Sequence, residues 1–119
     1  MSAPQFRTYE EFFGYYVLQH SCLSNRLMHA AGTTLGIVVV VAAFLLGHPW
    51  YALLFFPIGY GFAWTGHFLL EKNVPATFGH PFWSFISDFR MLFLMLTGRL
   101  SPWLAGPRAP IVQDNKKTA

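Results

Sequence analysis

Histidines are the most chemically capable side chains of this sequence, and their spacing brings four of them to one level. The four are His20, His29, His67 and His80. His29 and His67 lie almost equally far from a turn at residues 47–50, so a rise of about 1.5 Å per residue places them at similar depth on two antiparallel helices. His20 and His80 each precede a predicted helix at that same end. The spacing therefore predicts one layer of four histidines, with His48 at the opposite end of the molecule.

Imidazole groups in an apolar setting favour metal binding. Imidazole ligates iron, zinc and copper, and two histidines with a carboxylate and open positions are typical of non-haem Fe(II) sites that use O₂. Polar groups within a membrane are costly and are usually functional. His20, His29, His67 and His80 are therefore the candidate metal ligands. The alternative interpretation is that they form hydrogen bonds between helices and hold no metal.

Four polar residues near the histidines are candidate catalytic or binding residues, namely Asn25, Arg26, Glu71 and Lys72. Glu71 follows His67 by four residues, so the two are predicted on successive turns of one helix face. Asn25 and Arg26 are placed to orient a ligand or bind a carboxylate. The alternatives are a helix cap for Asn25, an interfacial anchor for Arg26, and the polar end of a membrane span for Glu71 and Lys72.

The composition indicates that these residues belong to a membrane protein. Hydrophobic residues make up 54% of the chain and charged residues only 11%, against about 25% charged residues in ordinary soluble domains. Residues 27–70 contain no Asp, Glu, Lys or Arg. The net charge of +3 is too small and too scattered to indicate a nucleic-acid partner. A single cysteine, Cys22, excludes an internal disulfide.

Four helices are predicted along the chain. Thr8 and Glu11 form a capping pattern that begins an aromatic-rich helix ending near His20, which is too short to cross a bilayer. Two apolar helices of spanning length follow at residues 26–46 and 51–71. A fourth, apolar helix runs over residues 81–97. The short turn between the two long helices makes them an antiparallel hairpin.

The predicted fold class is an all-α integral membrane bundle, in which a transmembrane hairpin is flanked by an N-terminal amphipathic helix and a C-terminal apolar helix. Residues 1–100 form one membrane-embedded domain, and residues 101–119 form a flexible, polar and Pro-rich tail. Lys and Arg lie at the ends away from the hairpin turn, so the positive-inside rule predicts cytoplasmic termini. The expected location is a bacterial inner membrane or an ER-type membrane.

Two motifs resemble those of the 2-hydroxy-palmitic acid dioxygenase family, over about residues 9–98. The first is a histidine, four residues, an asparagine, three residues and a second histidine, and it occupies residues 20–29. The second is Gly-His, a Glu-Lys pair four residues on, and then Pro-Ala, over residues 66–76. The hairpin turn here is minimal, whereas the larger eukaryotic members carry extra membrane segments.

The resemblance implies an Fe(II)-dependent membrane enzyme that uses O₂ to shorten 2-hydroxy fatty acids by one carbon, a step of fatty-acid α-oxidation. Family histidines needed for activity correspond to His20, His29 and His67. Glu71 or His80 would then be a further ligand or a residue that supports the ligands. The implied partners are a lipid-like substrate, the membrane and O₂, with no nucleic acid. Homo-oligomer formation is left open.

The alternative function is that of a small non-enzymatic membrane protein, such as an assembly factor or a carrier of haem or metal. Paired histidines on facing helices can ligate haem when small residues on both helices leave a wide cavity. Haem would give the purified protein a Soret band, whereas an Fe(II) enzyme would be nearly colourless.

Overall fold

The computed structural model describes residues 5–105, and all regular structure in this part of the chain is helical. The five α-helices are α1 (Tyr9–Leu18), α2 (Leu23–Leu45), α3 (Phe55–Thr65), α4 (Pro81–Leu96) and α5 (Ser101–Leu104). A 3₁₀ segment, Pro49–Leu54, leads into α3, and a π-helical turn, Gly66–Glu71, continues it. A short 3₁₀ turn, Ala76–Phe78, precedes α4. The prediction of an all-α fold is confirmed.

Helix α1 begins at the predicted position but is capped differently from the predicted pattern. Thr8 Oγ1 accepts a hydrogen bond from the Glu11 backbone N–H at 3.2 Å, as an N-cap should. The Glu11 carboxylate, however, accepts from the backbone N–H of Arg7 rather than from that of Thr8. The helix ends at Leu18, just before the predicted end, and this leaves His20 in the turn that leads to α2.

Helix α2 packs closely against the segment that contains α3, because two glycines of α2 face aromatic side chains. A Cβ atom on Gly32 would lie 2.6 Å from Phe62 Cβ, and one on Gly36 would lie 2.6 Å from a ring carbon of Phe55. Real Cβ atoms do not approach other atoms so closely. The two glycines therefore set the distance between the two arms of the predicted hairpin.

Two helical segments of 23 residues, Leu23–Leu45 and Pro49–Glu71, are long and apolar enough to cross a membrane. Within the most apolar 18 residues of each segment, only 28% and 17% respectively are buried in the structure, whereas the core helix of a soluble protein would be mostly buried. Large side chains near the hairpin turn are strongly exposed, with Leu45 at 81%. This exposed apolar surface suggests association with a membrane.

Helices α1, α4 and α5 share the main hydrophobic core beside the hairpin. The buried residues of this core are Phe12, Phe13, Tyr16, Val17, Ala76, Met91 and Leu100. Trp103 of α5 contacts Phe13 edge to face, with ring centroids 4.8 Å apart. The tail predicted from residue 101 therefore begins with a packed helical turn, and its residues 106–119 lie outside the described part of the chain.

Candidate metal centre

The structure brings together three of the four predicted histidines. His20 follows α1, His29 lies in α2 and His67 lies in the π turn after α3. All three side chains are buried, and one ring nitrogen of each lies within 4.8 Å of the other two. The Nε2 atoms of His20 and His29 are 3.0 Å apart. Three separate segments of the chain therefore place imidazole nitrogens around one point.

The hydrogen bonds of His20 and His29 determine which ring nitrogen carries the proton. His20 Nδ1 is hydrogen-bonded to the backbone carbonyl of Tyr16, and His29 Nδ1 to that of Asn25 at 3.1 Å. A carbonyl oxygen only accepts, so each Nδ1 must donate. In a neutral imidazole the other nitrogen, Nε2, then carries a lone pair and is free of hydrogen.

The His67 ring is also fixed by a hydrogen bond at Nδ1, but its partner is a side chain rather than a backbone carbonyl. Its Nδ1 lies 2.6 Å from Asn73 Oδ1. The Asn73 amide nitrogen donates to the backbone and side-chain oxygens of Gln19, both at 3.0 Å, and this orients the amide oxygen towards His67. His67 Nδ1 therefore donates, and its Nε2 is also available as a ligand.

The local environment keeps His20 in the neutral form that binds metals. Burial lowers the pKa of His20 well below its usual value, because the imidazolium ion would lose its hydration. The nearby rings of His29 and His67 lower this pKa further. The Nε2 lone pair of His20 is thus available at neutral pH.

The donor set fits a divalent metal ion. Two Nε2 lone pairs 3.0 Å apart repel each other unless a cation or a proton lies beside them. Bonds of about 2.0–2.1 Å to a shared metal, at angles between about 90° and the tetrahedral angle, separate two nitrogens by roughly 2.8–3.4 Å. Ligating histidines generally donate their second nitrogen to a carbonyl or carboxylate oxygen, as these three do to oxygens of Tyr16, Asn25 and Asn73.

Glu71 is directed towards the start of α2. Its carboxylate accepts hydrogen bonds from Ser21 Oγ at 2.9 Å, from the Cys22 backbone N–H at 2.8 Å and from Asn25 Nδ2 at 3.2 Å. Cys22 is the N-cap of α2, and its side chain makes no capping hydrogen bond. The Glu71 carboxylate, which is distant in sequence, accepts from the Cys22 backbone N–H at this helix terminus instead. Glu71 thereby ties the segment that bears His67 to the start of α2.

Arg26, Lys72 and His80 occupy three different settings. Arg26 Nη1 donates to the backbone carbonyls of His20 and Ser21, at 2.8 and 2.9 Å, and so braces the turn between α1 and α2. Lys72 is exposed and adopts a left-handed backbone conformation, with φ of 61°, where the π turn ends. His80 stacks on Trp83, with ring centroids 5.5 Å apart, and lies outside the group of three histidines.

Gln19 and Asn73 complete the site, and sequence reasoning did not select either of them. Both are polar residues close in sequence to a histidine, Gln19 directly before His20 and Asn73 six residues after His67. Their only signal was this proximity. Their hydrogen bonds link the turn after α1 to the loop after the π turn.

Comparison with known proteins gives a match to one family. The family model described as 2-hydroxy-palmitic acid dioxygenase Mpo1-like matches residues 6–100, a region that includes α1 to α4 and all three converging histidines. Neither the curated proteins nor the solved structures gave a match. The match covers most of the chain, and on this evidence the protein belongs to the 2-hydroxy-palmitic acid dioxygenase Mpo1-like family.

Proposed function

We propose that this protein is an Fe(II)- and O₂-dependent membrane enzyme that shortens 2-hydroxy fatty acids by one carbon. The observation that carries the proposal is the arrangement of His20, His29 and His67. Each ring uses Nδ1 in a hydrogen bond to an oxygen, so that the three Nε2 atoms are left as ligands at one buried point. Family membership supplies the substrate class and the type of reaction.

The metal would be held by Nε2 of His20, His29 and His67. Three neutral imidazoles accommodate several divalent metals, so the choice of Fe(II) rests on the family's dioxygenase activity. When bound, Fe(II) supplies a Lewis acid and a source of electrons for O₂, and offers open positions to a 2-hydroxy carboxylate.

The surrounding residues would act by positioning the three ligands. The carbonyls of Tyr16 and Asn25 and the amide of Asn73 fix the ring orientations. We assign Glu71 to the same task, because its hydrogen bonds fasten the start of α2 to the π turn. Arg26 braces the turn next to His20.

Lys72 and His80 have separate roles in the proposal. The exposed ammonium group of Lys72, at the end of the π turn, is placed to attract the carboxylate of an approaching substrate. His80 packs among the aromatic rings of Phe12 and Trp83, and would support the wall of the site from the start of α4.

We further propose that Leu23–Leu45 and Pro49–Glu71 cross the membrane as a hairpin. Their length, their apolar composition and their exposed surfaces support this arrangement. Cations flank the end that bears the histidines, and by the positive-inside rule they support a cytoplasmic location for both termini and the metal site, at a bacterial inner membrane or an ER-type membrane. A lipid substrate would then reach the site from the bilayer.

The spacing of the three histidine rings favours a site for a single metal ion over the alternative of a haem site. Two axial histidines bind haem on opposite faces of the macrocycle, which must fit between their rings. The ring centroids of the three histidines are only 4.3, 4.5 and 4.9 Å apart. A porphyrin does not fit between rings that are this close.

The test is turnover by the purified full-length protein in detergent or lipid discs. With Fe(II), O₂ and 2-hydroxyhexadecanoate, the product should be pentadecanoate, identified by mass spectrometry. His67→Ala should abolish turnover, whereas His48→Ala should leave it unchanged, because His48 lies in the hairpin turn about 25 Å along α2 from His29. Turnover by the His67→Ala protein at the unmodified rate would refute the metal centre and favour the non-enzymatic hypothesis.

A further inference from the structure

A small polar pocket lies directly beside the histidines, and an aromatic cleft continues from it. The pocket is bordered by residues that include His29, Trp64, His67, Ser84 and Asp88. The cleft lies between α2, α3 and α4 and shares His29 and Asp88 with the pocket. Four phenylalanines line it, namely Phe55, Phe56, Phe85 and Phe89. A molecule that filled both spaces would have its polar end at the histidines and its apolar part among these rings.

Two buried groups at the pocket have no hydrogen-bond partner among the described residues. They are Trp64 Nε1 and Ser84 Oγ. Ser84 is only 2% exposed. An indole N–H can only donate a hydrogen bond, so its partner must be an acceptor. Because leaving a buried donor unsatisfied is unfavourable, the indole points to a ligand with an acceptor oxygen, and the Ser84 hydroxyl can donate to the same ligand.

The two groups are held in place before any ligand binds. The Trp64 indole stacks on Tyr60, with ring centroids 5.5 Å apart, and meets the Phe78 ring edge to face at 5.2 Å. Ser84 lies in the first turn of α4, so its position is fixed by the helix. Donors that need no rearrangement lose little entropy when a ligand arrives.

The nearby Asp88 side chain is compatible with an anionic ligand. It accepts a hydrogen bond from the Tyr16 hydroxyl. Burial raises the pKa of Asp88 to about 7, because the ionised carboxylate would lose its hydration. Near neutral pH this carboxyl therefore carries a proton much of the time and repels an anion only weakly.

We propose that Trp64 and Ser84 bind the carboxylate of the fatty-acid substrate, with Trp64 Nε1–H and Ser84 Oγ–H donating to its oxygens. The first carbons of the acyl chain enter the cleft lined by the four phenylalanines, and the rest of the chain extends towards the bilayer. A carboxylate fits these groups because it accepts hydrogen bonds without donating any, and because bonds to a charged acceptor are stronger than neutral ones. The identity of the substrate rests on the proposed function.

The direct test is the indole N–H resonance of Trp64, assigned with Trp64→Phe in ¹⁵N-labelled full-length protein in neutral lipid discs. The protein is loaded with Zn(II), which has no redox chemistry and therefore leaves the ligand intact. Both 2-hydroxyhexadecanoate and hexadecanoate should move this proton resonance downfield, whereas hexadecane-1,2-diol, which lacks the carboxylate, should not. The indole of Trp50, exposed near the hairpin turn, is the internal control.

Affinity provides the second test. Trp64→Phe and Ser84→Ala should each raise the dissociation constant of 2-hydroxyhexadecanoate by about tenfold or more, the usual effect of losing a hydrogen bond to a charged group. Ser87→Ala is the matched control, because Ser87 is equally buried on α4 but bonds to the Tyr9 hydroxyl at 3.0 Å. Ser84→Ala should fold normally, since Ser84 Oγ bonds to nothing among the described residues.

The outcomes separate this inference from the proposed function. If hexadecanoate leaves the Trp64 resonance unmoved while the unmodified protein still produces pentadecanoate, the carboxylate site is refuted and the enzyme stands. If the resonance moves in a protein that never turns over, the carboxylate site stands and the dioxygenase activity is refuted. An equal loss of affinity in Ser87→Ala and Ser84→Ala would also overturn the proposal.

Discussion

His20 Nε2 and His29 Nε2 lie 3.0 Å apart, although each belongs to a ring whose Nδ1 already donates to a backbone carbonyl. Two neutral rings in this state present lone pairs to each other. The repulsion is relieved when a cation binds both nitrogens, and His67 supplies a third nitrogen for the same ion. Without a cation or a shared proton between the two nitrogens this contact is unfavourable, and metal binding removes it.

Removal of the metal should lower the thermal stability of the protein. A ligand that binds only the folded state at about one hundred times its dissociation constant adds roughly 2.7 kcal/mol to the free energy of unfolding. Treatment with a chelator should lower the melting temperature in detergent, and Fe(II) should restore it. The melting temperature of His29→Ala should not respond to the metal, and a full response in that variant would contradict the assignment.

Asn73→Ala should weaken metal binding without abolishing it. The variant leaves His67 Nδ1 without its acceptor, so the ring loses its fixed orientation. Loss of such a supporting hydrogen bond typically lowers metal affinity by about 10–100-fold. Titration with Zn(II) measures the affinity. Val74→Ala is the control, because the Val74 side chain is exposed, and equal affinities in the two variants would contradict the role of Asn73.

Gly66→Ala should destabilise the fold, whereas Gly59→Ala should not. A Cβ atom on Gly66 would overlap the Oδ1 atom of Asn25, but one on Gly59 would meet no atom within 4 Å. Overpacking of this kind costs about 1–3 kcal/mol. Denaturant titration of both variants in the same detergent measures the difference. Equal stabilities would show that α2 can move away from the π turn at no cost.

Asp88→Asn should flatten the dependence of stability on pH. The pKa of Asp88 rises from 3.8 to about 7 on folding, so the folded chain binds this proton more tightly than the unfolded chain. The stability contributed by Asp88 is therefore complete below about pH 4 and is lost as the pH rises towards 7. Asparagine does not titrate, so its variant should gain stability relative to the unmodified protein across this range. Parallel melting curves would contradict the prediction.

Reporter fusions should reveal the topology of the hairpin. A reporter inserted at His48 and one at the C-terminus should lie on opposite sides of the membrane, because a single proposed span, Pro49–Glu71, lies between them in the chain. A third reporter at the N-terminus should agree with the one at the C-terminus. Reporters at His48 and the C-terminus that agree would rule out the hairpin.

Much of the fold was predictable because its signals are local. The uncharged stretch, the glycine at the turn and the proline at the start of α4 mark the helices within a few residues. The similar depth of His29 and His67 in the helical bundle could be predicted by counting residues from the turn along two antiparallel helices. Their convergence with His20 needed only a short turn between α1 and α2.

The surroundings of the histidines were harder to predict, because they depend on irregular backbone. An α-helix would place Glu71 one turn after His67 on the same face, but the chain forms a wider π turn over Gly66–Glu71. The carboxylate consequently faces the start of α2. Asn73 reaches His67 only because Lys72 adopts a left-handed conformation, which reverses the chain and which the sequence pattern did not indicate.

The contact between Gly66 and Asn25 also limits how this protein can evolve. Any larger residue at position 66 displaces the Asn25 side chain, and Asn25 in turn bonds to Glu71. A larger residue at position 66 is therefore tolerated only on a background that already carries a smaller residue at position 25, and that smaller residue loses the bond to Glu71. Lineages that reach a new pair must pass through an impaired intermediate, so we expect positions 25 and 66 to change together or not at all.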